Sequence, residues 1–161
     1  ISELDKLVKE CKSGYDQYNF FIPAIAVREF TWNVFAAHYI EMAKARAYGI
    51  GFSDAERDGA IFTLHKVLST LLKLLAPITP FITDFLWQTL YSDKSIHTEQ
   101  QVKEESNEDL TKHTQAISEF NSKVWNTKKE KGLSLKDSIK IEIPKELEIF
   151  KKDLVAMHNL G

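Results

Sequence analysis

From Ala24 to Tyr48 the chain contains neither glycine nor proline, and nearly every turn of that stretch carries large apolar side chains. Glycine and proline are the residues that interrupt helices, so a run this long without either reads as one helix. Asn19 is placed to act as its N-cap, Pro23 falls in the first turn where a missing N–H does little harm, and Gly49 supplies the stop. The predicted helix spans Phe20 to Tyr48. Phe21, Ile22, Ile25, Val27, Phe30, Trp32, Val34, Phe35, Tyr39, Ile40, Met42 and Tyr48 cover most of its circumference, which predicts a central position in the fold. Trp32 and Phe35, like Trp87 further along, are expected in the core. Glu29, Asn33, Glu41 and Lys44 form a narrow polar strip that faces water or a ligand.

The other breakers fall where helix punctuation belongs. An amphipathic helix is expected from Ile1 to about Tyr18, with Leu4, Leu7, Val8 and Cys11 spaced by three and four. Ser53 to Glu56 form a capping box, followed by the stripe Ile61, Leu64, Val67, Leu68, Leu71, Leu72 and Leu75, with His65, Lys66, Ser69, Thr70 and Lys73 opposite. Pro77 ends that helix, and Thr79-Pro80 reads as N-cap and first position of the next, Phe81 to Tyr91. Residues Ser92 to Ser106 lack periodicity and read as a loop. A helix from Glu108 to Lys131 follows, stopped by Gly132. Ile139, Ile141 and Ile143 alternate with Lys140 and Glu142, the period of a half-buried strand ended by Pro144, and a helix from about Lys145 to Met157 closes the chain. The fold class predicted is all-α, an antiparallel helical bundle, with one short strand and a final helix; the expected domains are residues 1–132 and 133–161. The strand needs a partner, expected near Ser95 to Thr98 or beyond Gly161. Both ends read as cut, so a fragment of a longer protein is expected.

A net charge of −2 argues against a general nucleic-acid binder, which carries a clear basic excess. The sum conceals one patch. Between Lys123 and Lys140 stand six lysines (Lys123, Lys128, Lys129, Lys131, Lys136 and Lys140) against Glu130 and Asp137. Such a patch is either a solvated helix end or a surface for phosphates. Trp125, beside the Leu110/Ile117/Val124 stripe and followed by Lys128 and Lys129, suits RNA stacking or an inter-domain contact. No run is long and apolar enough for a membrane helix and Ile1 to Lys12 is too charged for a signal peptide, which points to a soluble, cytoplasmic protein.

Positive signals for chemistry are missing from the sequence. Cys11 is the single cysteine, in a charged helix without a nearby histidine. His38 and Glu41 share a helix face, but the Glu-x-x-His motif of bundle metal sites does not occur, and His38 is expected as a partnered, partly buried histidine. Gly49-Ile50-Gly51 ends a helix and does not join a strand to one, so it is no phosphate loop. No catalytic residue and no metal site is expected.

Three stretches carry a resemblance. Phe30 to Tyr48 (FTWNVFAAHYIEMAKARAY), Leu75 to Trp87 (LAPITPFITDFLW) and Lys128 to Leu135 (KKEKGLSL) followed by the alternating isoleucines are similar to the anticodon-binding region of the valyl-tRNA synthetases, class I aminoacyl-tRNA synthetases. The second stretch is shared with other class I enzymes; the first favours the valyl group. The resemblance implies recognition of the anticodon stem-loop of valine tRNAs, with the catalytic domain of the same polypeptide as second partner, and with neither DNA nor membrane. It implies no cofactor for this chain, ATP and Mg belonging to a catalytic domain whose His-Ile-Gly-His and Lys-Met-Ser-Lys-Ser signatures are not present in this sequence. Lys123, Lys128, Lys129 and Lys131 are the residues it points to for phosphate contact, with Arg46 and Lys44 as outer candidates and Trp125 as a stacking ring. The competing reading is a helical protein-interaction module whose lysines are only solvated.

Overall fold

The computed structural model describes residues 1–103 and 109–161, and over them the chain is all-α. Its α-helices are α1 (Ser2–Asp16), α2 (Phe21–Glu29), α3 (Ile40–Ala47), α4 (Asp54–Leu75), α5 (Pro80–Leu90), α6 (Thr114–Glu130) and α7 (Lys151–His158). A π-helical segment, Phe30–Tyr39, separates α2 from α3, and 3₁₀ turns occupy Ile96–Thr98, Thr111–His113 and Lys145–Phe150. The end of the expected loop at Ser106 and the expected helix start at Glu108 lie outside the described residues. The helices fall into two compact units, 1–32 with 62–109 and 33–61 with 110–161.

In the first unit α1 buries Leu4, Leu7, Val8 and Cys11, the expected stripe, and packs on α2. Gly14 makes that contact possible: a Cβ there would lie 2.6 Å from Cδ of Pro23 and 3.1 Å from the Asn19 carbonyl oxygen. Both neighbours are ring or backbone atoms that cannot swing aside. The side chain of Asn19 forms no cap; Phe20 takes the N-cap position without a side-chain bond, and the chain turns through Tyr18 at φ 55°. A second cluster joins Leu72 and Ala76 of the α4 end to Trp87 of α5 and Ile96. Pro80 opens α5 as predicted, although the Thr79 hydroxyl does not cap it. On α4, Val67, Leu71 and Leu72 are buried, but Ile61 and Leu68 face solvent, and Thr70, assigned to the outer face, is buried.

The stretch from Phe20 to Tyr48 is helical but neither one α-helix nor fully enclosed. No residue of the π segment is buried, and Trp32, expected in the core, is 75% exposed; Phe21 and Tyr48 also face solvent. π winding takes more residues per turn than the α-helix, so a face read at about 3.6 residues per turn drifts off target across ten residues. The apolar circumference shows how much cover the helix suits. Within the first unit α2 buries only Pro23, Ala26 and Val27.

In the second unit Met42 of α3, Phe120 and Val124 of α6, and Leu154 of α7 form one core with Ile139 and with Leu147 of the last 3₁₀ turn, flanked by Ile117, Leu133, Ile141 and Ile143. The expected strand is absent. Ile139 makes an isolated parallel bridge to Leu160, with its N–H donating to the Asn159 carbonyl at 3.2 Å and its own carbonyl accepting from Gly161 at 3.2 Å. The isoleucine alternation marks one-sided burial against α6 and α7; the last three residues supply backbone partners at one position only. The boundary expected after Gly132 falls inside this unit, and the final helix is split into a 3₁₀ turn and α7.

Gly14→Ala is expected to destabilise the chain by about 1–3 kcal/mol through overpacking, read as a lower denaturant midpoint. An unchanged midpoint would mean that α1 and α2 are not in this close contact.

Candidate nucleic-acid interface

The basic patch is built by the end of α6 and the chain that leaves it. Gly132, at φ 66°, closes the helix: its N–H donates to the Lys129 carbonyl at 3.0 Å and Leu133 N–H to the Lys128 carbonyl at 2.9 Å, the paired bonds of a Schellman stop. The turn after it is fixed by Asp137, whose Oδ2 accepts from Ser134 N–H at 2.6 Å. Lys123, Lys129, Lys131, Lys136 and Lys140 are exposed. Among the described residues none of these five forms an ion pair. By contrast, Lys44, Arg57, Lys151 and Lys152 are paired with Glu41, Asp54, Glu148 and Glu56. Free positive charge therefore gathers around the α6 terminus, where the helix dipole also favours cations.

Of the residues predicted to touch RNA, Lys123, Lys129 and Lys131 are at this surface, and Lys136 and Lys140 extend it. Those last two were visible in the charge count. Lys128 requires a correction: it is 0% exposed, and its ammonium donates to the carbonyls of Leu135 at 2.6 Å and His158 at 2.7 Å. A group with no solvent access cannot meet a phosphate. Burial pushes its pKa down, opposed by the Asp137 carboxylate. Arg46 is also committed elsewhere. Its guanidinium grips the Asp153 carboxylate through Nε at 3.0 Å and through Nη2, and stacks 5.5 Å from the centre of the Phe52 ring, which joins α3 to α7. Lys44 is exposed and bonded to Glu41.

Trp125 is half-buried, one ring face stacked on His38 (centroids 5.7 Å apart, 16° between planes) and an edge against His158. It is part of a polar chain that the sequence did not reveal. Asn121 is fully buried; its Oδ1 accepts from His158 Nε2 at 2.7 Å and its amide donates to His38 Nδ1 at 3.2 Å. The His38 Nε2 proton then faces the Ser118 hydroxyl at 3.0 Å. His38 is thus the partnered histidine expected, with both nitrogens engaged. Both imidazoles are held neutral: burial lowers the pKa of His38, and burial together with the Lys128 charge pushes His158 down to about 4.

The first unit carries a different surface. A cavity of about 450 Å³ lies between α1, the end of α4 and residues 96–102, lined by Tyr15, Tyr18, Phe20, His97 and Gln100 among others. Its cations Lys12 and Lys73 are neutralised by Asp16 at 2.5 Å and Glu99 at 3.0 Å. Cys11, on the buried face of α1, is held as a thiol, since burial and Glu10 push its pKa up to about 11. Charge divides in the same way: the sequence of the first unit holds eight Lys and Arg against twelve Asp and Glu, that of the second thirteen against eleven.

An all-α chain with a lysine-rich helix end is one of several possible RNA-binding architectures, and comparison with known proteins decides the family. Residues 1–143 match the anticodon-binding domain of tRNA ligase, and the chain belongs to that family. It is 37% identical over its whole length to the valine–tRNA ligase of Pyrobaculum aerophilum, of which it covers 21%. It is 42% identical over 81% of its length to that of Nanoarchaeum equitans, and 31% over 96% to that of Aeropyrum pernix, covering 17% and 20% of those proteins. The chain thus spans about a fifth of the length of these relatives. Among the described residues no helix is long and apolar enough to cross a membrane.

The neutral histidine chain has an acid signature. His158 has a folded pKa below its unfolded value of about 6.5, so the unfolded chain takes up the proton first as pH falls. Its contribution is complete above pH 6.5 or so and is lost as pH drops towards about 4. A loss of about 2–3 kcal/mol is expected across that window, measured by denaturant melts at several pH values, and His158→Gln should flatten that part of the profile.

Proposed function

We propose that the chain recognises the anticodon stem-loop of valine tRNA, as the anticodon-binding part of a valine–tRNA ligase. Family membership carries this reading, and the names of the relatives supply the amino acid. The unpaired lysines about the α6 terminus are the physical means: exposed ammonium groups release counterions from a phosphate backbone and hold the RNA in register, while discrimination between tRNAs comes from contacts to unstacked loop bases. Lys123, Lys129 and Lys131 are the phosphate contacts in this proposal, with Lys136 and Lys140 beside them. Lys44 is an outer contact that would have to exchange Glu41 for a phosphate. Valyl transfer, with its ATP and Mg, is assigned to a catalytic domain elsewhere in the same polypeptide.

Exposed rings elsewhere in the chain support a protein partner as well. Phe81, at 90% exposed, together with Phe85, Phe21 and Trp32, leaves the first unit with large uncovered rings, and exposed apolar groups of this size mark contact surfaces. The partner proposed for them is that catalytic domain. RNA binding and domain docking are then separate duties of separate residues.

Titrating the chain with valine tRNA and a non-cognate tRNA at two salt concentrations tests the assignment. Tighter binding of the valine tRNA, weakened by salt, is the expected result; equal binding of both tRNAs, or none, would sink it. Replacing Lys123, Lys129 and Lys131 together by Ala should reduce the salt slope by about two to three, roughly one for each phosphate that is no longer neutralised.

A further inference from the structure

We infer that Lys128 is a positioning residue for the lysine surface, a buried latch that ties the end of α6 to the Ser134–Asp137 turn and to the end of α7. The inference rests on the RNA-binding reading above and adds a role that the lysine count obscures. Lys128 stands four residues after Val124 and seven after Asn121, both fully buried, so it continues the inward face of α6 while Lys129 and Lys131 point away from it. Its side chain crosses the unit interior to two carbonyl oxygens. One belongs to Leu135, inside the turn that carries Lys136; the other belongs to His158, the last residue of α7.

Terminal carbonyls of a helix have no partner within the helix and carry its negative dipole end, so an ammonium group satisfies them better than a neutral donor does. Two further features close the same knot. The Lys128 carbonyl accepts from Leu133 N–H, and Asn159, in the left-handed conformation at φ 52°, turns the chain just after His158 while its Nδ2 donates to the Lys136 carbonyl at 3.1 Å. Backbone and side chain of one lysine thus hold the start and the middle of the segment 133–137, and a side-chain amide just past α7 holds Lys136. An apolar residue at 128 would fill the space but leave the buried His158 carbonyl without its donor and cut the tie to the part-buried Leu135 carbonyl. The lysines of the surface would then keep their charge and lose their arrangement.

The salt dependence of RNA binding separates this role from phosphate contact. Lys128→Met in the full 161-residue chain is expected to weaken valine tRNA binding by about tenfold and to leave the salt slope unchanged, because no counterion-releasing contact is removed. Lys129→Ala should lower the slope by about one. Lys128→Arg, which keeps cationic donors, should recover affinity relative to Met at the same slope. A slope reduced by about one in Lys128→Met would make Lys128 a direct contact and overturn the latch; unchanged affinity would overturn it too. Should the Met variant fail to fold, the unaltered chain still decides. Acetylation with an N-hydroxysuccinimide ester, mapped by mass spectrometry, should modify Lys129 and Lys131 and spare Lys128 until denaturant is added. Lys128 reacting as fast as Lys129 in the native chain overturns the proposal. Absence of tRNA binding by the unaltered chain would remove the RNA reading and the latch's role together, whereas binding with a reduced slope in Lys128→Met removes the latch alone.

Discussion

An ammonium group taken out of water must be surrounded by oxygens, and the second unit is organised around meeting that demand at Lys128. Its two carbonyl partners lie 7 and 30 residues away in sequence, so one side chain fastens three segments. The same cation adds to the effect of burial on its neighbour. His158, in the same interior, is held neutral first by its burial and then by the Lys128 charge, beside which protonation would put a second one; its Nε2–H is aimed at Asn121 at the end of the Asn121–His38–Ser118 chain. Arg46 on Asp153 and Lys152 on Glu56 repeat the device at the surface of α7. The Glu56 carboxyl, which also caps α4, is held down to about 2 by the Lys152 ammonium first and by its Ser53 bonds next.

The arrangement gives α7 a directional attachment that its length could not provide. Eight residues make about two turns, and an isolated helix so short is unstable in water. Leu154 and the flanking Met157 supply an apolar anchor, but apolar contact is non-directional and tolerates sliding. A bidentate guanidinium at one end and a buried ammonium at the other fix both rotation and register. The basic turn between α6 and the 3₁₀ turn inherits that order, since its carbonyls are among the groups being held.

Several local signals in the sequence held, although the Asn19 and Thr79 side chains cap nothing, and the distant ones did not. Ser53 and Glu56 form the capping box that their spacing announced, with Ser53 N–H donating to the Glu56 carboxylate at 2.7 Å, and Gly132 stops α6 where its backbone freedom is needed. Family membership was legible in three stretches. What failed depended on contacts far along the chain: the pairing of Arg46 with Asp153 spans 107 residues, and nothing at either position foretells it. The burial of Lys128 was legible in part, for a residue four after Val124 on a helix shares its inward face; its charge drew attention outward. The isoleucine alternation was a true record of burial and a false record of pairing, because period two says which side is covered and not what lies beside the backbone. Trp32 failed for a local reason, the π winding of its segment.

The division of charge between the units bears on the two partners proposed for the chain. A surface that binds RNA gains from a positive field, but the same field weakens a contact with any protein face that is itself basic, as RNA-handling surfaces usually are. Here the cluster of unpaired lysines belongs to the second unit and the large exposed rings of α2 and α5 to the first, whose sequence is net acidic and whose cavity lysines are neutralised locally. Apolar contact with an acidic surround favours a basic protein neighbour and repels phosphate. Burying Lys128 takes one of the six clustered lysines out of solvent and commits it to structure, so that five side chains of the cluster remain outside.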